Sequence, residues 1–404
     1  MSKLTLRDLS LKGQTVLMRA DFNVPLSKEG RILDDSRIRA ALPSIHYILD
    51  QGAKLILMSH LGKPLAKPDG TVDSALSLRP VAKRLSELLG QTVPLAPDCI
   101  GPQVESLVSQ LKIGQVLLLE NLRFHSGEEK PDKDPAFAAS LAHLADVYVN
   151  DAFGTAHRAH ASTAVIAKYF PGKAAAGFLM EKEISQLSSL LQNPKRPFYA
   201  LIGGAKISTK IGVIQNLLPR VDSLFLGGGM IYTLMKSQGI AIGKSICEDT
   251  ELHTAENIAR SPKIHLPLDL VIAKELKQGA ATQIIPYAQG IPPDWQGVDI
   301  GPKTATAWAT QLQKCATCFW NGPLGIAEIA TFASGTAALA KSLAACKQAT
   351  TVVGGGDSVA VIEQMGLADR FTHLSTGGGA SLEFLESGHL PGIDSLTNKT
   401  PHFL

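Results

Sequence analysis

Short apolar runs recur along the chain and stop at glycines or polar groups. The first half holds TVLMRADFNV, AKLILMSHLG, QVLLLENLRF and ADVYVNDAF; the second holds FYALIGGAK, DSLFLGGGM, KIHLPLDLVIA, CFWNGPLG and TTVVGGGDS. Apolar residues fill successive rather than alternate positions, so both faces of each strand are covered, as in a parallel sheet. The intervening stretches, such as RIRAALPSIHYILDQG, LRPVAKRLSELLG and GTAALAKSLAAC, have helical spacing. Strand and helix in alternation predict an α/β protein of two doubly wound parallel-sheet (Rossmann-like) domains. The long helical pattern GFLMEKEISQLSSLLQNPKRP, near mid-chain, predicts a helix joining them.

Length agrees with two domains: 404 residues exceed one ordinary core. Hydrophobic residues make up 45% and charged residues 19%, a globular balance, and the net charge of +3 gives no bulk argument for nucleic acid or membrane. No apolar run approaches the ~20 residues that span a bilayer. The opening MSKLTLRDLSLKG lacks an apolar segment followed by a small-residue cleavage site, which points to a cytoplasmic protein. Five cysteines, odd in number and sparse, form no disulfide framework, and Cys315-x-x-Cys318 reads as part of a buried strand.

Ligands of open α/β sheets bind beyond the carboxyl ends of the strands. There the first half places Asp21, Asn23, His60, Arg123, Asp151 and Arg158, and the second half places glycine-rich turns with Lys206, Asn321 and Asp357. The string GTAHRAHAS, Gly154 to Ser162, sets cationic groups on a backbone otherwise of small residues. Such a string suits an anion, because small neighbours let a phosphate approach the planar guanidinium. Arg37, at the start of a helix, is a further candidate cation. Of the glycine-rich turns, VVGGGDSVAVIEQMG pairs a buried strand with a helix start, where backbone N–H groups converge on phosphate. Asp357 and Ser358 there are equally ordinary helix caps, and an aspartate beside phosphates can also hold magnesium. GIAIGKS has three residues between its glycines where a P-loop has four. FLGGGMIY misses the dinucleotide fingerprint because Tyr232 stands at its last glycine, and His157-x-x-His160 has no third metal ligand at a useful spacing.

Taken in order, DFNVPL, DDSRIRAALPSI, SHLGKP, LLLENLRFH, NDAFGTAHRAHAS, GGAKISTKI, WNGPLG, GGGDS and STGGGAS make the chain closely similar to the phosphoglycerate kinase family over nearly its whole length. The resemblance implies reversible phosphoryl transfer between ATP and 3-phosphoglycerate with magnesium, in glycolysis and gluconeogenesis, by a monomeric cytoplasmic enzyme. It implies a phosphoglycerate-binding domain over 1–175, a linking helix over 176–195, a nucleotide-binding domain over 196–378 and a tail over 379–404 that returns to the first domain. Asp21, Asn23, Arg37, His60, Lys63, Arg123 and Arg158 would hold phosphoglycerate. Lys206, Glu328, Gly354, Gly355, Gly356, Asp357 and Ser358 would hold the nucleotide, with Asp357 on the metal. Arg37, Lys206 and Gly378 would be catalytic. Ser375 and Thr376 would lie in a hinge on which the domains close.

Three positions depart from the family pattern. Lys63 stands where arginine is common, Ala327 where phenylalanine is common, and Thr209 where aspartate is common, which predicts that Lys210 lacks a carboxylate neighbour. Rival readings are a kinase for another phosphorylated carboxylic acid and a non-catalytic nucleotide or phospholigand binder. Retention of Arg37, Lys206 and Asp357 speaks against the second.

Overall fold

The computed structural model describes residues 2–64 and 73–399. The chain divides into two compact units: residues up to Ile184 together with those from His389 onward, and Ser185–Gly388. The division falls inside the mid-chain helix Phe178–Gln192. Of the expected tail, the helix Gly379–Ser387 packs on the helix Ile211–Leu217 of the second unit. Residues from His389 onward join the first, where Leu4 N–H donates to Thr397 O and Gly392 N–H to Ala156 O, both at 2.8 Å. Residues 400–404 of that tail lie outside the described residues.

The first unit is built on a parallel sheet of β1 (Thr15–Arg19), β2 (Lys54–Met58), β3 (Val116–Leu118), β4 (Val147–Asn150) and β5 (Ala174–Ala176). Its order is β3-β2-β1-β4-β5. Register pairs Val16 with Leu55 on one side and with Val147 on the other. Val16, Leu55, Val116 and Val147 are all buried, as runs covered on both faces require. Each such side chain contributes about 1.5–3 kcal/mol through burial.

The second unit carries β6 (Phe198–Ile202), β7 (Ser223–Leu226), β8 (Ile264–His265), β9 (Asp269–Ala273), β10 (Thr282–Pro286), β11 (Gln296–Ile300), β12 (Thr317–Asn321), β13 (Thr350–Gly354) and β14 (His373–Leu374). Six of them form a parallel sheet in the order β14-β13-β12-β6-β7-β8. The segment KIHLPLDLVIA is two strands, not one: β8 edges the parallel sheet, and β9 centres a separate antiparallel sheet of order β10-β9-β11. The sequence pattern did not announce that small sheet, because TQIIP is largely exposed and QGVDI mixes glycine and aspartate into its run. No helix among the described residues is long and apolar enough to cross a membrane.

In each parallel sheet the strand order reverses beside the first strand, between β1 and β4 and between β6 and β12. Diverging connections leave a crevice at the carboxyl ends of those strands, the usual ligand position of doubly wound sheets.

Candidate active site

In the first unit, Asp21 and Asn23 follow β1, His60 follows β2, Arg123 lies on the turn Leu122–Phe124 after β3, and Arg158 follows β4. Arg37 stands in the first turn of the helix Ser36–Asp50 and is ion-paired with Asp21. The side-chain oxygen of Asn23 accepts from Gly62 N–H at 2.8 Å, while Arg123 Nη1 donates to Gly62 O at 2.6 Å. These two contacts pin the turn after β2. Arg123 Nε lies 3.1 Å from Glu129 Oε1 and is buried without a hydrogen bond. Arg158 Nε donates to His157 Nε2 at 3.2 Å. Lys63 is exposed.

These cations act on one another. Burial first, then Arg19, Arg123, Arg37 and His160, hold the His60 imidazole well below its ordinary pKa. His160 falls to about 4, chiefly through burial, with Arg158, Arg123 and Arg19 adding to the drop and Glu129 opposing it. Both histidines are therefore neutral near pH 7, and positive charge at this crevice comes from guanidinium groups.

Behind the crevice lies a buried network that the sequence did not point to. Arg19, fully buried at the end of β1, donates through Nε to Ser162 Oγ at 2.9 Å and stands 3.0 Å from His60 Nδ1 through Nη2. Ser162 in turn donates to the buried Glu128, from Oγ at 2.7 Å and from its N–H at 3.0 Å. Ala161 N–H donates to Glu128 O at 2.9 Å. The loop GTAHRAHAS is thus tied at its far end to the carboxylate that balances Arg19. In sequence, Arg19 reads as the end of a strand and Glu128 as part of a solvated SGEEK; only the long-range fold pairs them.

In the second unit the turns after β6, β7 and β12 press backbone to backbone. A side chain at Gly203 would meet Pro323 O at 2.1 Å and Gly322 O at 2.6 Å, so that approach needs glycine. Gly204, Gly228 and Gly229 line a cavity of about 340 Å³ whose wall also includes Pro323, Glu328 and Asp357. Lys206 is exposed on the turn after β6. Gly354 closes β13, Gly355 has φ +91°, and the helix Gly356–Gln364 begins there with Asp357 in its first turn. Asp357 is exposed, whereas Ser358 Oγ is buried with no hydrogen-bond partner. An orphaned buried hydroxyl at a helix start is a place where a ligand oxygen compensates. Gly378 sits immediately before the helix Gly379–Ser387. Ala327 is partly buried next to the exposed Glu328.

One sequence expectation fails. Lys210 does have a carboxylate neighbour: Asp357 favours its charge, although burial, the larger effect, lowers its pKa. Its Nζ donates to Asn321 Oδ1 at 2.6 Å. Asp357 lies far along the chain from Thr209, so inspection of GGAKISTK alone could not find it. A larger cavity of about 700 Å³ in the first unit, walled by Arg31, Arg39 and Arg84 with Asp34, Asp35 and Glu87, contains none of the expected site residues.

The family model described as Phosphoglycerate kinase matches residues 6–388. A phosphoglycerate kinase of Moorella thermoacetica is 54% identical over 404 residues, covering 99% of this chain and 100% of its own. The cytosolic phosphoglycerate kinase of Triticum aestivum is 51% identical, with 97% of each chain covered. Among solved structures, phosphoglycerate kinase from Coxiella burnetii aligns with a TM-score of 0.86 at 39% identity, covering 97% of this chain and 98% of that one. The Pyrococcus horikoshii enzyme aligns at 0.83 and 32% identity with the same coverage. Identity above half over the whole length, on a fold whose two switch points carry the guanidinium cluster and the glycine-walled cavity, places the chain in the phosphoglycerate kinase family.

Proposed function

We propose that the chain moves the γ-phosphoryl group of ATP reversibly to the carboxylate of 3-phosphoglycerate, giving ADP and 1,3-bisphosphoglycerate, a step of glycolysis and gluconeogenesis. The observation that carries this reading is the guanidinium cluster of Arg37, Arg123 and Arg158 around a neutral His60. Such a cluster suits a small, doubly anionic ligand.

Phosphoryl transfer needs in-line positioning and charge stabilisation more than covalent help. The attacking carboxylate is already ionised at neutral pH, so no general base is required. In this reading Arg158 and Arg123 hold the phosphate that is not transferred, with Asp21, Asn23, His60 and Lys63 completing the pocket. Neutral His60 contributes a hydrogen bond rather than a charge. Arg37, ion-paired with Asp21, would offer its remaining N–H groups to the migrating phosphoryl. On the second unit, Lys206 and Gly378 would serve the same group during transfer. The Gly354–Ser358 turn offers backbone N–H groups and the Ser358 hydroxyl to the nucleotide phosphates, and Glu328 meets the ribose.

Magnesium fits this donor set. The ion favours one or two carboxylates together with substrate phosphates and water. Asp357, exposed on the wall of the glycine-lined cavity, would supply the carboxylate. The ion would neutralise charge on the phosphate oxygens. Because separate units hold the two substrates, transfer also requires hinge closure; small-angle scattering is expected to show the radius of gyration falling most with both ligands bound. We further propose a cytoplasmic monomer without nucleic-acid or membrane partners.

A coupled assay with ATP, magnesium and 3-phosphoglycerate, run beside a panel of other phosphorylated carboxylic acids, tests the reading. Turnover is expected with 3-phosphoglycerate well above the others. A preference for another acid would reassign the substrate. Ligand binding without turnover would mean that the chain is a non-catalytic binder.

A further inference from the structure

Beside the turn that carries Arg123, Asp98, Cys99 and His125 bring one ligand atom each to within 4.8 Å of one another. His125 Nε2 stands 2.5 Å from Asp98 Oδ1, which also accepts Cys99 N–H at 2.6 Å. The Cys99 thiol donates to Glu120 O at 3.0 Å. The imidazole plane is fixed by stacking on Phe137, with centroids 4.7 Å apart and planes at 19°. Asp98 is exposed, His125 partly buried and Cys99 fully buried, so the three donors form a path from solvent inward.

We propose that Asp98, Cys99 and His125 form a binding site for zinc or a similar borderline-soft divalent cation. One imidazole, one thiolate and one carboxylate, with a water in the fourth position, is an open zinc set. Donors bound to such an ion at about 2.0–2.3 Å stand about 3–4 Å apart. Asp98 and His125 part slightly to admit it, and the thiol draws in. Local charge favours a cation: Asp98, Glu128 and Glu120 all oppose a free thiolate here, and burial opposes it more strongly. A bound dication reverses that balance, because thiolate and carboxylate together cancel its charge and the thiol proton leaves to solvent. Magnesium, a hard oxygen-seeking ion, does not compete for the sulfur, so this site and the proposed nucleotide metal take different cations. Occupancy would clasp the Asp98–Cys99 segment to the residue that follows the turn carrying Arg123.

The test uses the full-length protein, stripped with chelator and titrated with Co²⁺ at neutral pH. One cobalt per chain is expected, with a thiolate-to-cobalt charge-transfer band in the near ultraviolet that one equivalent of zinc abolishes. Cys99→Ser should remove the band. His125→Asn, at a partly exposed position that tolerates the change, should weaken cobalt binding by about tenfold or more. Cys346→Ser is the control, because Cys346, Cys315 and Cys318 interact with one another in the second unit and offer a competing sulfur site. A band lost in Cys346→Ser but kept in Cys99→Ser would overturn the proposal. So would the absence of any thiolate band, or cobalt affinity unchanged by His125→Asn. If Cys99→Ser fails to fold, His125→Asn and the control still decide.

Discussion

Replacing Glu128 with alanine tests whether the buried network behind the guanidinium cluster holds it in place. The substitution removes the acceptor of both Ser162 contacts, at 2.7 and 3.0 Å, and the carboxylate that offsets buried Arg19. An orphaned buried donor costs about 1–3 kcal/mol, and removing one partner of a buried charge pair costs about 3–5 kcal/mol. These losses share one network and do not add, so about 3–5 kcal/mol is expected, confined to the first unit. Burial, the largest influence, raises the Glu128 pKa, and Arg19 and Ser162 oppose that rise. A glutamine amide in its place can face its oxygen to Ser162 N–H and donate to Ser162 Oγ but leaves Arg19 without its carboxylate, so Glu128→Gln should recover only part of the loss. Hydrogen exchange is the assay. Amides of β3 and β4 should lose protection in the alanine variant while β12 and β13 keep theirs. Tryptophan fluorescence should report little change, because Trp295, Trp308 and Trp320 all belong to the second unit. If the loop placing Arg158 loosens by ~1.4 kcal/mol, KM for phosphoglycerate rises about tenfold while KM for ATP holds. Unaltered β3 and β4 protection, or an equal loss in β12, would refute the reasoning.

Other expectations follow from the same geometry. Arg37→Ala and Lys206→Ala should each lower kcat by about 10²–10³ with melting temperature little changed, and near-normal turnover would remove that residue from the transfer step. Asp357→Asn keeps a helix-capping side chain, so stability should hold while activity falls and partly returns in excess magnesium; normal activity at low magnesium would make Asp357 a cap only. Asp299 on β11 accepts from Gly335 N–H at 2.7 Å and Ile300 N–H at 2.8 Å, yet burial lifts its pKa to about 7. Between about pH 4 and pH 7 the folded state then holds a proton that the unfolded state has released. This group's contribution is therefore most favourable at low pH and is lost as pH rises, by about 4 kcal/mol in order of magnitude. Denaturant midpoints read by tryptophan fluorescence should show that slope flattened in Asp299→Asn, and an identical slope would reject the assignment.

What could be read from sequence depended on whether the signal was local. TVLMR and TTVVG announce doubly covered parallel strands because every position must be apolar there, and polar groups just beyond them mark the carboxyl ends. β5 is three alanines, poor strand formers that the neighbouring β4 makes into a strand, and β10 is an exposed edge. At the site, His60, Arg123 and Arg158 stood out as unusual residues at strand ends. Arg19 and Glu128 did not, because a buried ion network consists of residues that look solvated until the fold joins them. Lys210 failed for the same reason, its carboxylate neighbour coming from the turn after β13.

The two crevices offer different groups to an anion, and their surroundings explain why. Around His60 the cations are guanidinium groups, which stay charged despite burial, and each has a partner: Arg37 has Asp21, Arg123 has Gly62 O and Glu129, Arg158 has His157, and Arg19 reaches Glu128 through Ser162. An imidazole among them cannot also be cationic; burial and its neighbours have already displaced its proton. A cluster built this way presents nearly constant charge across the neutral range, because none of its cations titrates there. The second unit lacks such a cluster among the residues lining its cavity. Glycine turns pack closely enough to present backbone, and the exposed Asp357 and Glu328 stand on the same wall. A wall bearing carboxylates repels polyphosphate unless a cation intervenes. Carboxylates in the first crevice pair with guanidinium groups, whereas the lining of the second cavity holds none, and that difference is an argument for a magnesium-bound nucleotide there.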